Sequence, residues 1–157
     1  MTRRVWTPFL ALALALTASA RPAAAQQPQP DLKKIRVLLV LDTNTNLKNS
    51  VLMNRDLVLE VFKKGMPASL YEITELKGDD VTPAKVIDYY NNIQTSRDEC
   101  LFFYYNGHGA TFKDHVLTMQ AGIKGKEPMF LKRQTLLNVM RLKNPGLIVV
   151  LTNSCAD

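Results

Sequence analysis

The sequence predicts an α/β fold in which an open, mostly parallel sheet carries helices on both faces. Four short apolar, β-rich runs are separated by three segments of helical periodicity. Strands that are apolar almost throughout are typical of parallel sheets covered on both faces. Because strands and helices alternate, right-handed crossovers favour the strand order 2-1-3-4.

The first strand and helix are separated by a polar loop. Residues 35–41 (Ile-Arg-Val-Leu-Leu-Val-Leu) form the first buried strand, and residues 42–49, rich in Asn and Thr, form the loop. We expect Ser50 to cap a helix that continues to about Lys64, where Gly65 ends it.

The next three elements have clear boundaries. Residues 69–76 alternate as a second strand. Thr82 and Pro83 are a cap and a first-turn proline, which predicts a helix to about Gln94. Residues 100–105 form a third buried strand, broken by the turn at 106–109 (Asn-Gly-His-Gly).

The last part of the chain predicts a hairpin, a helix and a strand. Two short β-like pieces within residues 115–130 surround Gly122 and Gly125, as in a surface hairpin. Residues 131–143 have helical periodicity, and 147–151 form a fourth buried strand. In such sheets function lies outside the carboxyl ends of the strands, near the switch point between strands one and three.

The first 25 residues have the pattern of a secretory signal. A start containing two arginines is followed by an apolar run and then by small residues, with two Ala-x-Ala sites. We expect cleavage after Ala25, a polar linker over 26–34, and a folded domain over 35–157. The apolar run is shorter than the ~20 residues that span a bilayer. The chain is therefore predicted to be exported to the periplasm or medium, without membrane attachment after processing.

Charge and cysteine content exclude several classes of protein. The formal net charge of the 157 residues is +6, but three cations lie within the first 21 positions. The small charge that remains gives little support to a nucleic-acid partner. Two cysteines cannot build a disulfide scaffold. Cys100 precedes a strand and Cys155 follows one, so a bond between them would span opposite ends of the sheet.

A histidine and a cysteine follow neighbouring strands at the predicted functional edge. His108 lies between two glycines, and Cys155 follows the fourth strand. An imidazole can stabilise a thiolate and protonate a leaving amine. The backbone amides of Gly109 and Cys155 are candidates for an oxyanion hole. The alternatives are a structural turn histidine and a small buried cysteine. The spacing of His108, His115 and Cys155 matches no zinc pattern, so we predict no metal or cofactor.

Three segments resemble the caspase-like cysteine peptidases, which include the metacaspases. They are residues 101–109 (an apolar strand, then Asn-Gly-His-Gly), residues 147–155 and residues 47–51. Cys155 follows His108 by 47 positions, near the ~50 of caspases. The resemblance implies a partial caspase-like p20 domain that hydrolyses peptides or proteins. It also implies that His108 is the general acid and base, Cys155 the nucleophile and Gly109 an oxyanion-hole residue.

The residues around the cysteine differ from the family pattern. Metacaspases usually have Asp-Ser-Cys-His-Ser-Gly, whereas this chain has Asn-Ser-Cys-Ala-Asp at 153–157. Asn153 replaces an aspartate that in metacaspases helps to hold a basic substrate residue. Asp42 and Asn153 are therefore the candidate substrate-pocket residues, although we favour an exposed loop position for Asp42.

The fourth strand is apolar on both faces, a composition that natural sheets avoid at an open edge. Family members continue beyond the cysteine with further strands. We therefore expect this chain to be a fragment or truncated product, or a second chain or copy to cover strand 147–151. The alternative function is a truncated, non-catalytic caspase-like module, acting at most as an exported binding domain.

Overall fold

A four-stranded parallel sheet with helices on both faces forms the centre of the protein. The structure, a computed structural model, describes residues 31–111 and 115–154. The signal segment, most of the linker and Cys155 lie outside the described residues. The elements are β1 (Lys34–Leu41), α1 (Lys48–Gly65), β2 (Tyr71–Lys77), α2 (Pro83–Asn92), β3 (Glu99–Asn106), β4 (His108–Thr111), β5 (His115–Met119), β6 (Met129–Lys132), α3 (Arg133–Leu142) and β7 (Leu147–Asn153).

The order of the parallel strands is β2-β1-β3-β7. This order confirms the 2-1-3-4 prediction, since β7 is the fourth predicted strand. β7 is an edge strand of this sheet, and Leu147 and Leu151 are 43% and 49% exposed. None of its residues is buried, so the prediction of a buried fourth strand is right about the strand but wrong about its burial. A second chain or copy that covers this edge stays a prediction.

Two apolar layers hold the helices against the sheet. Successive side chains of β1 point to opposite faces because the side-chain period of a strand is two. On one face Val37, Leu39 and Leu41 pack with Val51 and Phe62 of α1. The other face packs against α2 and α3 through a second cluster, which includes Leu38, Val40, Phe103, Tyr90, Leu136 and Met140. The prediction of helices on both faces is confirmed.

The predicted hairpin is part of a three-stranded antiparallel sheet of order β4-β5-β6. Leu117, Met119 and Leu131 are buried in the layer that contains α2 and α3. The predicted pairing is confirmed, and residues 121–130 lie at the surface as expected, whereas the prediction of surface exposure is wrong for residues 116–120, which are buried. The additional strand, β4, begins at His108 itself, so the predicted turn is shorter than 106–109.

The two predicted helix caps have different outcomes. Thr82 caps α2 as expected, because its hydroxyl oxygen accepts a hydrogen bond from the Lys85 amide at 3.2 Å. The prediction for Ser50 is wrong. The cap position of α1 is Leu47, three residues earlier, and the Ser50 hydroxyl donates to the Leu47 carbonyl at 2.8 Å within the first turn.

Candidate active site

Three neighbouring strands end at the same level. Leu41 of β1 pairs with Asn106 of β3, and Asn106 pairs with Asn153 of β7. The residues that follow these strands therefore leave the sheet along one edge, on both sides of the switch point between β1 and β3. This register places the segment that carries His108 between Asp42, at the end of β1, and Asn153, at the end of β7.

The turn before His108 is bonded to both neighbouring strands. The Asp42 amide donates to the Asn106 carbonyl at 3.0 Å, and the Gly107 amide donates to the Asn153 carbonyl at 3.2 Å. A Cβ atom at position 107 would lie 2.6 Å from the Tyr105 hydroxyl oxygen and 2.7 Å from the Asp42 Cβ. Glycine is needed here because of space, since its φ does not lie in the left-handed region.

His108 is half-buried, and its ring contacts the loop between β1 and α1. Its Nε2 atom lies 3.1 Å from the Asn46 Oδ1 atom. Asn46 is exposed and was not among the residues predicted from the sequence. The only signal for it was its place in a polar loop after the first strand, shared with Asn44 and Asn49, so spacing alone could not have selected it.

Thr45 fixes the loop segment that presents Asn46. Its buried hydroxyl donates to the Asp42 carbonyl at 3.1 Å and accepts from the Leu47 amide at 3.3 Å. The backbone on both sides of Asn46 is thereby attached to the end of β1. The contact between Asn46 and His108 thus joins two segments that are each hydrogen-bonded to the ends of the parallel strands.

Asp42 is fully buried, so the expectation of an exposed loop position is wrong. Its Oδ2 atom accepts a hydrogen bond from the Gln120 amide at 3.1 Å, and its Oδ1 atom has no partner among the described residues. Burial raises the pKa of Asp42, partly offset by the Gln120 amide and by the charge of His108. A buried carboxyl therefore lies beneath the His108 turn.

Tyr105 supports the same turn from the core. Its hydroxyl oxygen lies 2.8 Å from the carbonyl of His108 and 2.8 Å from that of Thr118. The single hydroxyl proton is shared between two acceptors, which holds β4 and β5 at the end of β3. Burial, together with the nearby charge of Asp42, raises the pKa of Tyr105 well above its usual range.

The two predicted substrate-pocket residues contact opposite faces of the sheet. Asn153 is exposed, and its side chain hydrogen-bonds to Tyr104, which packs in the α1 layer. Asp42 interacts with Tyr105, which packs in the α2 and α3 layer. The structure places both residues at the predicted edge but does not point them into a common pocket.

The remaining predicted site residues are only partly described. Gly109 is half-buried and pairs with Leu117 between β4 and β5. Its oxyanion-hole role stays a prediction, as does the nucleophilic role of Cys155, which lies outside the described residues. Cys100 is a free, buried thiol at the opposite end of β3, and burial raises its pKa to about 11.

Comparisons with known proteins do not identify a family. No protein-family model and no curated protein matches the chain. Over residues 31–111 and 115–154, no helix is both long and apolar enough to cross a membrane. The same described residues contain no group of three or more His, Cys, Asp or Glu side chains that could hold a metal ion.

Proposed function

We propose that the chain is a caspase-like cysteine peptidase domain in which Cys155 is the nucleophile and His108 the general acid and base. The observation that carries the proposal is the hydrogen bond from the Gly107 amide to the Asn153 carbonyl, 3.2 Å long. It joins the residue before His108 to Asn153, the last residue of β7, and Cys155 follows Asn153 by two positions in the sequence. The resemblance of both segments to this family adds the assignment of roles.

The proposed reaction has two steps. The Cys155 thiolate attacks the substrate carbonyl carbon, a C–S bond forms, and the C–N bond breaks as the His108 imidazolium gives its proton to the leaving amine. Water then attacks the thioester and gives a proton to the imidazole. In this step a C–O bond forms and the C–S bond breaks, which releases the carboxylic acid product and restores the thiolate and imidazolium pair. Peptides or proteins are the substrates, and the pattern of residues 1–25 supports action outside the cytoplasm.

The two cysteines of the chain differ in a way that makes the proposal easy to test. A thiol reacts as its thiolate, and burial holds the pKa of Cys100 at about 11. At neutral pH the Cys100 thiol is both protonated and enclosed. Rapid modification of the folded chain at that pH would therefore report on Cys155.

The experiment measures labelling of the mature chain by a peptidyl electrophile at neutral pH, with the modified cysteine identified by peptide mass spectrometry. We expect labelling at Cys155, loss of labelling in Cys155→Ala, and retention in the matched variant Cys100→Ala. His108→Ala should slow labelling by at least about 100-fold, a typical contribution of acid–base catalysis. Equal labelling of the parent and Cys155→Ala would refute the proposal and leave the non-catalytic module as the better hypothesis.

A further inference from the structure

We propose that Asn46 is a positioning residue for His108, with its side-chain oxygen accepting a hydrogen bond from the Nε2–H group of the ring. This inference rests on the proposed function. The supporting observation is the 3.1 Å separation of the Asn46 Oδ1 and His108 Nε2 atoms, which joins residues 62 positions apart. A neutral imidazole carries one N–H group, and the partner of one nitrogen decides which tautomer is present.

Helix capping does not explain the side chain of Asn46. Asparagine is among the best residues for capping a helix, and Asn46 lies two positions before α1. However, Leu47 occupies the cap position of α1, without a side-chain hydrogen bond. The Leu47 amide is instead bonded to the Thr45 hydroxyl at 3.3 Å. The Asn46 oxygen is therefore left to His108.

The loop is built so that Asn46 is held from both ends. Thr45 attaches the segment to the end of β1. The Thr45 hydroxyl also accepts a hydrogen bond from the amide of Leu47, the residue that follows Asn46. An exposed hydrogen bond between two free side chains is weak, since ordering both partners costs entropy. A fixed loop and a fixed turn reduce that cost for the pair of Asn46 and His108.

As a consequence, the two nitrogens of the His108 ring have different roles in the reaction. With Nε2–H donated to Asn46, Nδ1 is the nitrogen that accepts the thiol proton and later gives it to the leaving amine. The Nε2–H group is present in both the neutral and the protonated ring, so the bond to Asn46 persists through the cycle. Asn46 thus sets the tautomer and the orientation of the ring without touching the substrate.

The test compares Asn46→Ala, Asn46→Asp and the loop control Asn44→Ala in the mature chain. The first readout is the pair of His108 ring nitrogen chemical shifts, assigned with a His115→Ala variant. In the parent we expect the neutral ring to carry its proton on Nε2. In Asn46→Ala the ring should move towards a mixture of tautomers, whereas Asn46→Asp keeps an acceptor oxygen and should preserve the parent tautomer. Asn44→Ala should also preserve it.

The second readout is the rate of Cys155 labelling at saturating electrophile. Asn46→Ala should lower this rate by about tenfold, the equivalent of one neutral hydrogen bond, with less than a twofold change in the half-saturating concentration. Asn46→Asp should restore most of the rate, and Asn44→Ala should leave it within twofold. A purely structural role would affect both alanine variants alike.

The two readouts separate this inference from the proposed function. Unchanged ring shifts in Asn46→Ala, or a larger loss of rate in Asn46→Asp than in Asn46→Ala, would overturn the role of Asn46 while Cys155 remained the labelled residue. Labelling that is indifferent to Cys155→Ala, together with altered ring shifts in Asn46→Ala, would instead overturn the peptidase proposal and leave the hydrogen bond standing.

Discussion

Gly107 is the position at which the packing around the His108 turn can be tested most directly. In Gly107→Ala the new Cβ would lie 2.6 Å from the Tyr105 hydroxyl oxygen, 2.9 Å from its ring carbon Cζ and 2.7 Å from the Asp42 Cβ. Favourable contacts between carbon atoms lie at about 3.5–4.0 Å, so each contact is about 1 Å too short. Tyr105 and Asp42 are both fully buried, and neither can move away into solvent.

The expected cost follows from what must move. Overpacking a buried site by one methyl group costs about 1–3 kcal/mol. Shifting the Tyr105 ring also disturbs the 2.8 Å contacts of its hydroxyl with two carbonyl groups, which adds about 1 kcal/mol. Gly107→Ala should therefore lower the free energy of unfolding by about 2–4 kcal/mol. With a urea m-value of about 2 kcal/mol/M, the midpoint should fall by about 1–2 M.

Two further variants make the measurement specific. Gly65→Ala is the matched control, because a Cβ at that position at the end of α1 meets nothing within 4 Å, and its midpoint should stay level or rise slightly. Tyr105→Phe removes the hydroxyl oxygen nearest to the new Cβ. Tyr105→Phe should lower the free energy of unfolding less in the Gly107→Ala background than in the parent, with a difference of at least about 0.5 kcal/mol. A Gly107→Ala midpoint within error of the parent, or strict additivity with Tyr105→Phe, would refute the packing argument.

Three other substitutions, one of them paired with a surface control, have expected outcomes in urea unfolding. Burial raises the pKa of Asp42 in the folded state, so the folded state keeps a proton that the unfolded state loses. The contribution of Asp42 to the free energy of unfolding therefore falls as the pH rises from its unfolded pKa to its folded pKa. Asp42→Asn should therefore gain stability relative to the parent as the pH rises above about 4, the ordinary pKa of an aspartate; a difference independent of pH would contradict this. Thr82→Ala removes the hydroxyl that accepts from the Lys85 amide at the start of α2 and should lower the free energy of unfolding by about 1 kcal/mol. An unchanged free energy of unfolding would contradict the capping role of Thr82. Met140→Ala creates a cavity at a fully buried site on α3 and should lower the free energy of unfolding by about 2–5 kcal/mol. Leu142→Ala changes a side chain that is 83% exposed and should have little effect. Equal losses in the two variants would contradict the placement of Met140 in the core.

The elements that the sequence predicts well are those determined by local signals. The apolar runs of β1, β3 and β7 indicate strands, and β1 and β3 are largely buried as predicted, whereas β7 has no buried residue. Thr82 followed by Pro83 marks the start of α2 through short-range geometry alone. The strand order then follows from the alternation of strands and helices together with the handedness of crossovers. None of these predictions requires knowledge of contacts between distant residues.

The burial of Asp42 could not be predicted because it depends on distant contacts. An aspartate that follows a strand is normally exposed, and nothing near position 42 contradicts that expectation. Its actual environment is created by Gln120, 78 positions away, and by the small sheet that begins at His108. A prediction from local composition therefore gives the right edge of the fold for Asp42 and the wrong degree of burial.

The arrangement around His108 separates the groups that fix its backbone from the group that orients its ring. Tyr105 and Asp42 are buried, and with Gly107 they determine where the turn lies. Asn46 is exposed, and its side-chain oxygen lies 3.1 Å from Nε2 of the ring. Changes in the buried set should therefore alter stability and Cys155 reactivity together, because they displace the turn itself. A change at Asn46 should alter reactivity with little effect on stability, since surface substitutions usually stay within about 0.5 kcal/mol. This contrast is what a preorganised catalytic histidine requires and what a structural turn histidine would lack.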